Sequence, residues 1–505
     1  MKKEWALFPM VRVMKTPLLS KSRFITGQQC HLRLWYQCYH PDLASETSEV
    51  QQAIFDSGHD VGELATRLYP GGRLIAEDHM HHREAVQTTR KVMGNQKIPA
   101  IFEAAFLYDD IRIRVDILER LENGKWNLIE VKSSTSVKDV HFPDAAIQWY
   151  VLRGAGLEID KAFLMHVNNQ YVYDGKELDL NSFFISSDVT EEVVAMQERF
   201  PNMISELKEM LSDSDSPDIS PSRHCNDPYE CEFYEHCTKG MPEHWIIELS
   251  GISQTKLNEL AAMGINDIKD IPSTYSLADL HERIRTSVVN NKEYISEELE
   301  RELSDVEYPI HFLDFETIST AIPRYAGTRP YQTIPFQWSD HILQKDGVLE
   351  HHDYLCNEDK DAREEFTFRL LSVIGMKGSI FIYSTYETRI IKALSEDFSE
   401  YRKKLLDTLD RFKDLCAITK KHFYHPEFHG SFSLKSVLPV LVPDMDYKFL
   451  EIQEGGQASL EYLHMIDPSV SSEEREEIRK DLLTYCEQDT LAMVRIREEM
   501  LKRLG

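Results

Sequence analysis

Two acidic side chains set two residues apart inside an apolar strand are the sharpest chemical signal in this sequence. Residues 310–317 read Ile-His-Phe-Leu-Asp-Phe-Glu-Thr. The two-residue period of a strand puts Asp314 and Glu316 on one face and Leu313 and Phe315 on the other. Neighbouring carboxylates in such a strand repel each other unless a cation lies between them, so a metal site is the economical explanation. Far downstream, Tyr485 and Asp489 are four residues apart and share a helix face. A second set lies earlier in the chain. Ile111, Ile113, Val115 and Ile117 alternate with Arg112, Arg114 and Asp116, and Asn123-Gly124 can supply the turn of a β-hairpin over residues 111–132. On its return strand Glu130 and Lys132 share a face, Asp116 can join them from the partner strand, and Glu103 on the preceding strand is a further candidate ligand. Two carboxylates holding Mg²⁺ lower the pKa of a bound water while a lysine positions it or stabilises developing charge, which is the chemistry of phosphodiester hydrolysis. The competing reading is a half-exposed hairpin with a solvated polar face.

Cysteines form the third pattern. Cys225, Cys231 and Cys237 follow a C-x5-C-x5-C spacing, with Cys30 far upstream. Eight cysteines in 505 residues make no disulfide framework. Four thiolates can enclose an iron-sulfur cluster or a tetrahedral Zn²⁺, although the spacing is not the C-x2-C knuckle of a zinc ribbon. Cys38, Cys356, Cys416 and Cys486 have no partners by spacing and read as small core residues.

These groups need elements to hold them. A chain of 505 residues with 42% hydrophobic residues predicts about three domains. The turn-rich stretch 211–222 leads into the cysteines, residues 245–272 carry short helical patterns around Gly251 and Gly264, and residues 278–304 are charged and helix-prone before the apolar strand begins. The expected organisation is α/β, with a first domain over 18–240, a helical connector over 241–304 and a second domain over 305–505. No run of about 18 apolar residues could span a bilayer. Arg12 interrupts the apolar start and no small-residue cleavage site follows, so a secretory signal is not expected and the cytoplasm is the expected compartment.

A net charge of −28 argues against a protein that coats nucleic acid through bulk charge. Local basic stretches remain. Residues 1–50 carry seven Lys or Arg against four acids, including Lys21, Arg23 and Arg33, and residues 401–450 carry nine against six, including Lys420, Lys421 and Lys435. Both stretches are expected to line nucleic-acid paths.

Asp116, Glu130-Val131-Lys132 and then Gln148-Trp149-Tyr150 resemble the PD-(D/E)xK nucleases of the RecB and CRISPR-associated type, in which the Gln and Tyr follow the Glu-x-Lys strand and support the site. Gln148 and Tyr150 stand closer together than is usual there. The family's Gly-x-x-x-His helix has no counterpart, since Gly58 is followed by His59 and then Gly62. One cysteine before that core and three after it resemble the [4Fe-4S] staple of such nucleases, which implies that Cys30, Cys225, Cys231 and Cys237 tie the ends of the domain together, with Zn²⁺ as the alternative. Asp314 and Glu316 with Tyr485 and Asp489 resemble the DnaQ-like (DEDD) 3′→5′ exonucleases of the RNase H fold, which use two Mg²⁺. In the middle motif, Ser384 and Glu387 stand where that family has Asn and Asp, and Asp414 and the turn Ser433 to Lys435 also fit its pattern. The connector faintly resembles a helix-hairpin-helix module but lacks the Gly-x-Gly hairpin, and a plain spacer is the alternative.

Over residues 18–498 the chain is similar to an uncharacterised bacterial family joining these two nuclease types. The implied fold is a PD-(D/E)xK restriction-endonuclease-like core, a helical connector and a C-terminal RNase H-like mixed sheet with helices. The implied activity is a Mg²⁺- or Mn²⁺-dependent nuclease acting on single-stranded DNA ends or flaps in repair or defence against foreign DNA. Without a G-x4-G-K-[ST] loop, unwinding would come from a separate helicase or ATPase. A nucleic-acid-binding adaptor with degenerate sites and an RNA-trimming exonuclease are the alternatives, since fold does not determine function.

Overall fold

The alternation of Ile111 to Ile117 is realised in a mixed α/β structure, seen in a computed structural model that describes residues 17–504. The opening stretch that holds Arg12 lies outside the described residues. The chain divides into two compact units, one of residues 17–47, 56–171 and 178–239, the other of residues 48–55, 172–177 and 240–504. The stretch 241–304, expected as a connector, falls within the second unit.

The first unit opens with α1 (Lys21–Gln29), whose N-terminus is capped by the Ser20 hydroxyl accepting from the Arg23 amide. Its sheet centres on β1 (Ala100–Tyr108), β2 (Ile111–Arg120) and β3 (Trp126–Lys132), an antiparallel meander. Burial alternates along most of β2, with Ile111, Ile113 and Val115 inside. The hairpin turn closes through the Leu121 amide on the Lys125 carbonyl at 2.9 Å, with Gly124 at φ +82°. That left-handed residue is what a three-residue hairpin loop requires and what glycine adopts without steric cost. A parallel partner strand needs a crossover. Helix α2 (Phe142–Gly154) supplies it, packing across the meander before β4 (Ile159–Val167) pairs parallel to β3. The strand β5 (Phe184–Asp188) then pairs antiparallel to β4. Helix α2 is buried almost all round, from Asp144 to Trp149 and again at Val151 and Leu152.

The sheet of the second unit has five strands: β6 (Ile310–Ile318), β7 (Ile334–Leu343), β8 (Leu349–Leu355), β9 (Ile380–Ile382) and β10 (Phe412–Asp414), in the order β8-β7-β6-β9-β10. The first three are antiparallel; β9 and β10 run parallel to β6. Helix α3 (Arg363–Ile374) connects β8 to β9 and α4 (Tyr386–Asp397) begins the connection to β10. Leu313 and Phe315 join Phe366, Leu370 and Ile391 in a core against α3 and α4. The other face of β6 is covered by α6 (Ser472–Lys502), while α5 (Leu434–Leu441) packs on α6. Leu482, Tyr485, Cys486, Asp489, Met493 and Ile496 of α6 are buried at helical spacing. Residues 241–304 hold two short helices, Gln254–Ala262 and Leu299–Ser304, with the longer Asp279–Asn290 between them. No helix among the described residues is long and apolar enough to cross a membrane.

Candidate functional site

The face of β6 opposite the apolar core gathers the acids of the second unit. Asp314, Glu316 and, from α6, Asp489 each present a carboxylate oxygen within 4.8 Å of the others. Glu387 joins from the first turn of α4, only 2% exposed, with its Oε2 buried and lacking a hydrogen-bond partner. Burial raises all of them, and repulsion by neighbouring acids adds to it for Asp314, Glu316 and Glu387. Asp314 and Glu316 lie well above the usual carboxylate range, Glu387 is pushed up to about 8 and Asp489 to about 6. Asp489 rises least because Tyr447, Lys435 and Tyr485 oppose its burial. The Tyr447 hydroxyl donates to its Oδ1. The Lys435 ammonium lies 5.6 Å and 5.7 Å from the ring centres of Tyr447 and Tyr485. Cys486, read from spacing as core filling, is buried but also directs its thiol to Asp314 Oδ2 at 3.6 Å. Ser384, at φ +85°, donates its amide to Asp414 Oδ1 at 3.1 Å, which joins the end of β9 to the end of β10. Three converging carboxylates, with the orphaned Glu387 oxygen beside them, are a donor set suited to hard divalent cations.

The first-unit site is built differently. Asp116 on β2 and Glu130 and Lys132 on β3 do converge. Glu130 is 1% exposed and fully engaged: Oε1 accepts from Lys132 at 2.9 Å and from Lys21 of α1 at 2.8 Å, and Oε2 accepts from Gln148 of α2 at 2.6 Å. Lys132 also donates to Asp144 Oδ2 at 2.5 Å. Asp116 accepts from the Val131 amide at 2.8 Å. Burial would lower both ammonium groups, but Glu130 and the neighbouring aspartates outweigh it and hold them above the usual lysine range. Burial likewise pushes Glu130 up, yet Lys132 and Lys21 outweigh it and hold the carboxyl low. Asp116 goes the other way, to about 7, through burial and then repulsion by Glu130. Two ammonium groups therefore already supply Glu130 with the positive charge that a cation would bring, whereas Asp116 remains short of it. Mg²⁺ fits Asp116 and Glu130 only if Lys21 leaves Glu130.

Four residues read from the sequence stand apart from this cluster or are occupied. Glu103, at φ +55°, ion-pairs with Arg114 at 2.9 Å. Tyr150 points its hydroxyl to Asp109 at 3.0 Å. Lys21 and Arg33, placed among strand-path residues by charge counting, are paired with Glu130 and Glu232. Beside the cluster, Lys21, Arg23, Arg112, Arg114 and Asp116 line a groove of about 520 Å³. In the second unit Lys420 and Lys421 are exposed in the last turn of the helix Leu415–His422, whose other end is capped by Asp414, whereas Lys435 acts on Glu316 and Asp489 and Arg389 on Glu387. The roles of Lys21, Asp144 and Tyr447 escaped the sequence because no spacing links Lys21 to a residue 109 positions away.

Cys30, Cys225, Cys231 and Cys237 line one enclosed cavity. Gln29 donates to the His224 and Tyr229 carbonyls and Arg33 ion-pairs with Glu232 at 2.7 Å, so the two ends of the unit are stitched on either side of Cys30. Burial raises the thiols of Cys225, Cys231 and Cys237, Cys231 to about 11, with smaller effects from one another. None of the four forms a disulfide. Four thiols converging on one cavity are a donor set for a thiolate-bound metal group.

Residues 311–433 match a domain of unknown function, DUF2779. The matched stretch carries Asp314, Glu316, Glu387 and Asp414 and stops short of Asp489. At this level the expectation of an uncharacterised family holds. The chain is also 23% identical over 218 residues to uncharacterized protein UU173 of Ureaplasma parvum, covering 38% of this chain and 31% of that relative's length. Among solved structures, the crystal structure of SSO0001 aligns over 45% of this chain and 88% of that one, at 16% identity and a TM-score of 0.20.

Proposed function

We propose that this protein is a divalent-metal-dependent nuclease that hydrolyses phosphodiester bonds at single-stranded DNA ends or flaps. The observation that carries the proposal is the convergence of Asp314, Glu316 and Asp489 within 4.8 Å, with the buried Glu387 acting on them from beside the cluster, acids whose raised pKa values mark a site short of positive charge. Mg²⁺ or Mn²⁺ held by these acids supplies a water of lowered pKa and Lewis acidity toward the leaving oxygen. The chain's own groups do the rest: Tyr447 and Tyr485 hold Asp489 in place, and Lys435 sits close enough to offset excess negative charge. Two antiparallel and two parallel pairings in the sheet of β6, with the acids on that strand and on a late helix, support the DnaQ-like reading. The hairpin, the Glu-x-Lys strand and the Gln148 helix that follows it support the PD-(D/E)xK reading of the first unit. The cysteine cavity supports a structural [4Fe-4S] cluster, with Zn²⁺ as the alternative.

The ion pairs at Glu130 favour a second, narrower reading for the first unit, in which it binds nucleic acid and does not cut it. Anaerobically purified protein is assayed on labelled single- and double-stranded DNA and RNA with Mn²⁺, beside Asp314→Ala and Lys132→Ala. Loss of cleavage in Asp314→Ala alone supports the narrower reading. Loss in either variant assigns the corresponding site. Unchanged cleavage in both refutes both assignments, and no cleavage of any substrate favours a binding adaptor. Brown protein that turns colourless in Cys225→Ser supports the cluster, and colourless protein holding one zinc per chain replaces it with Zn²⁺.

A further inference from the structure

The second unit holds another cluster that none of the motifs above includes. His244, Glu248 and His429 each place one ligand atom within 4.8 Å of the other two. The pair His244 and Glu248 brackets the turn Ile246–Glu248, and His429 ends the turn Pro426–Phe428. Both imidazoles turn Nδ1 toward the same carboxylate oxygen, Glu248 Oε2, at 3.8 Å from His244 and 3.4 Å from His429. The two rings stack at 5.4 Å with an interplanar angle of 22°.

Hydrogen bonding accounts for only part of this arrangement, through a long bond between His429 Nδ1 and Glu248 Oε2. At 3.8 Å the His244 contact is no hydrogen bond, and 3.4 Å is long for one. His244 is only 6% exposed, yet its Nδ1 has no hydrogen-bond partner of any kind. A buried imidazole nitrogen left unpaired costs free energy comparable to a lost hydrogen bond. A shared ion removes that cost. Nitrogen and oxygen ligands at about 2.0–2.1 Å from a tetrahedral zinc stand about 3.3 Å apart, close to the separations observed.

The backbone brings the two turns together independently of the side chains. Gly430, at φ +73°, lies so near Glu248 that a Cβ there would meet the Glu248 carbonyl oxygen at 1.6 Å. Only glycine permits that approach. It holds His429, itself at φ +47°, over the carboxylate. His429 keeps about half its side chain in solvent and Glu248 about a fifth, which leaves room for a water as the remaining ligand.

We infer that His244, Glu248 and His429 form a binding site for a zinc-class transition-metal ion that clamps the turn Ile246–Glu248 to the turn Pro426–Phe428. Two imidazole nitrogens and one carboxylate oxygen suit Zn²⁺, Co²⁺ or Ni²⁺ better than Mg²⁺, which prefers oxygen ligands and retains its waters. The site is therefore selective for a different ion class from the all-carboxylate cluster on β6. It does not rest on the nuclease reading.

The test uses the full-length protein, stripped of metal under reducing anaerobic conditions and titrated with Zn²⁺ against a chromophoric chelator. Wild type is expected to bind one equivalent more than His429→Ala, a substitution at a half-exposed position that leaves the core intact. Asp314→Ala should keep that equivalent. Glu248→Gln should weaken it by about tenfold or more, since losing a direct ligand costs at least as much as losing a supporting group. Zn²⁺ should also raise the melting temperature of wild type more than that of His429→Ala. Equal stoichiometry and equal zinc stabilisation in wild type, His429→Ala and the more conservative His429→Gln would overturn the assignment.

Discussion

Opposite charge balances at two sets of acids lead to opposite behaviour. Around Glu130, Lys21 and Lys132 satisfy that carboxylate without a cation, while Asp116 beside it is held up at about 7. Replacing Lys132 by Met removes one partner of a buried pair and leaves Asp144 facing Glu130. Breaking such a pair costs about 3–5 kcal/mol, and Lys21 retains part of the compensation, so a loss of about 3 kcal/mol is expected in urea denaturation. Around Asp314 the balance is negative. Carboxyls whose folded pKa exceeds the unfolded value bind more protons when folded, so they favour the folded state at low pH and oppose it as pH rises. With Asp489 at about 6 and Glu387 at about 8, metal-free protein should lose thermal stability between about pH 4 and pH 8. Mn²⁺ should raise the melting temperature more at pH 8 than at pH 6. Glu387→Gln should flatten the upper part of that profile, which scanning calorimetry at fixed ionic strength can check.

Elements determine which of these groups meet. Periodicity was enough to pair Asp314 with Glu316 and Glu130 with Lys132, because strand geometry alone puts alternate residues on one face. It was enough too for Asp489 with Tyr485 on a helix. It could not show that the ends of β9 and β10 are joined through Asp414, whose carboxylate caps the helix Leu415–His422 by accepting from the Ala417 amide at 2.9 Å and also accepts from Ser384. Asp414→Ala should cost about 1 kcal/mol as a lost N-cap. It should also release the Ser384 turn that leads into Glu387, so under the proposed function cleavage should fall by more than the stability loss explains. Equal activity at a temperature where both proteins are folded would show that the Ser384 turn holds without Asp414.

Charge is a property of the whole molecule, and the net of −28 is distributed unevenly. Some of it lies in buried acids suited to cations. Some of the basic count is also unavailable, since Lys21 and Arg33 are consumed in ion pairs, which corrects a simple tally by sequence block. Lys420 and Lys421 stay exposed. Under the proposed function, replacing both with Glu should weaken single-stranded DNA binding and reduce the slope of log affinity against log salt by about 0.7 for each phosphate no longer neutralised. Fluorescence anisotropy across a salt series measures this, and an unchanged slope would remove these two lysines from the binding path.

By itself the sequence determined the α/β character, the strands and the pairings that depend on local period, because side-chain direction repeats every two residues in a strand and about every 3.6 in a helix. The spacing of Cys225, Cys231 and Cys237 likewise marked a thiol cluster, and Cys30 was matched to it only through a resemblance. Only the tertiary structure decided that Lys21 neutralises Glu130, that Tyr447 holds Asp489, that Glu103 is taken by Arg114, and that His244 and His429 face one carboxylate oxygen. Apart from His244 and Glu248, four residues apart around one turn, each of these pairings joins groups on different elements, at separations from 11 to 181 residues in the chain. Such meetings depend on packing and on the cost of leaving a buried charge unpaired, and no local repeat encodes either.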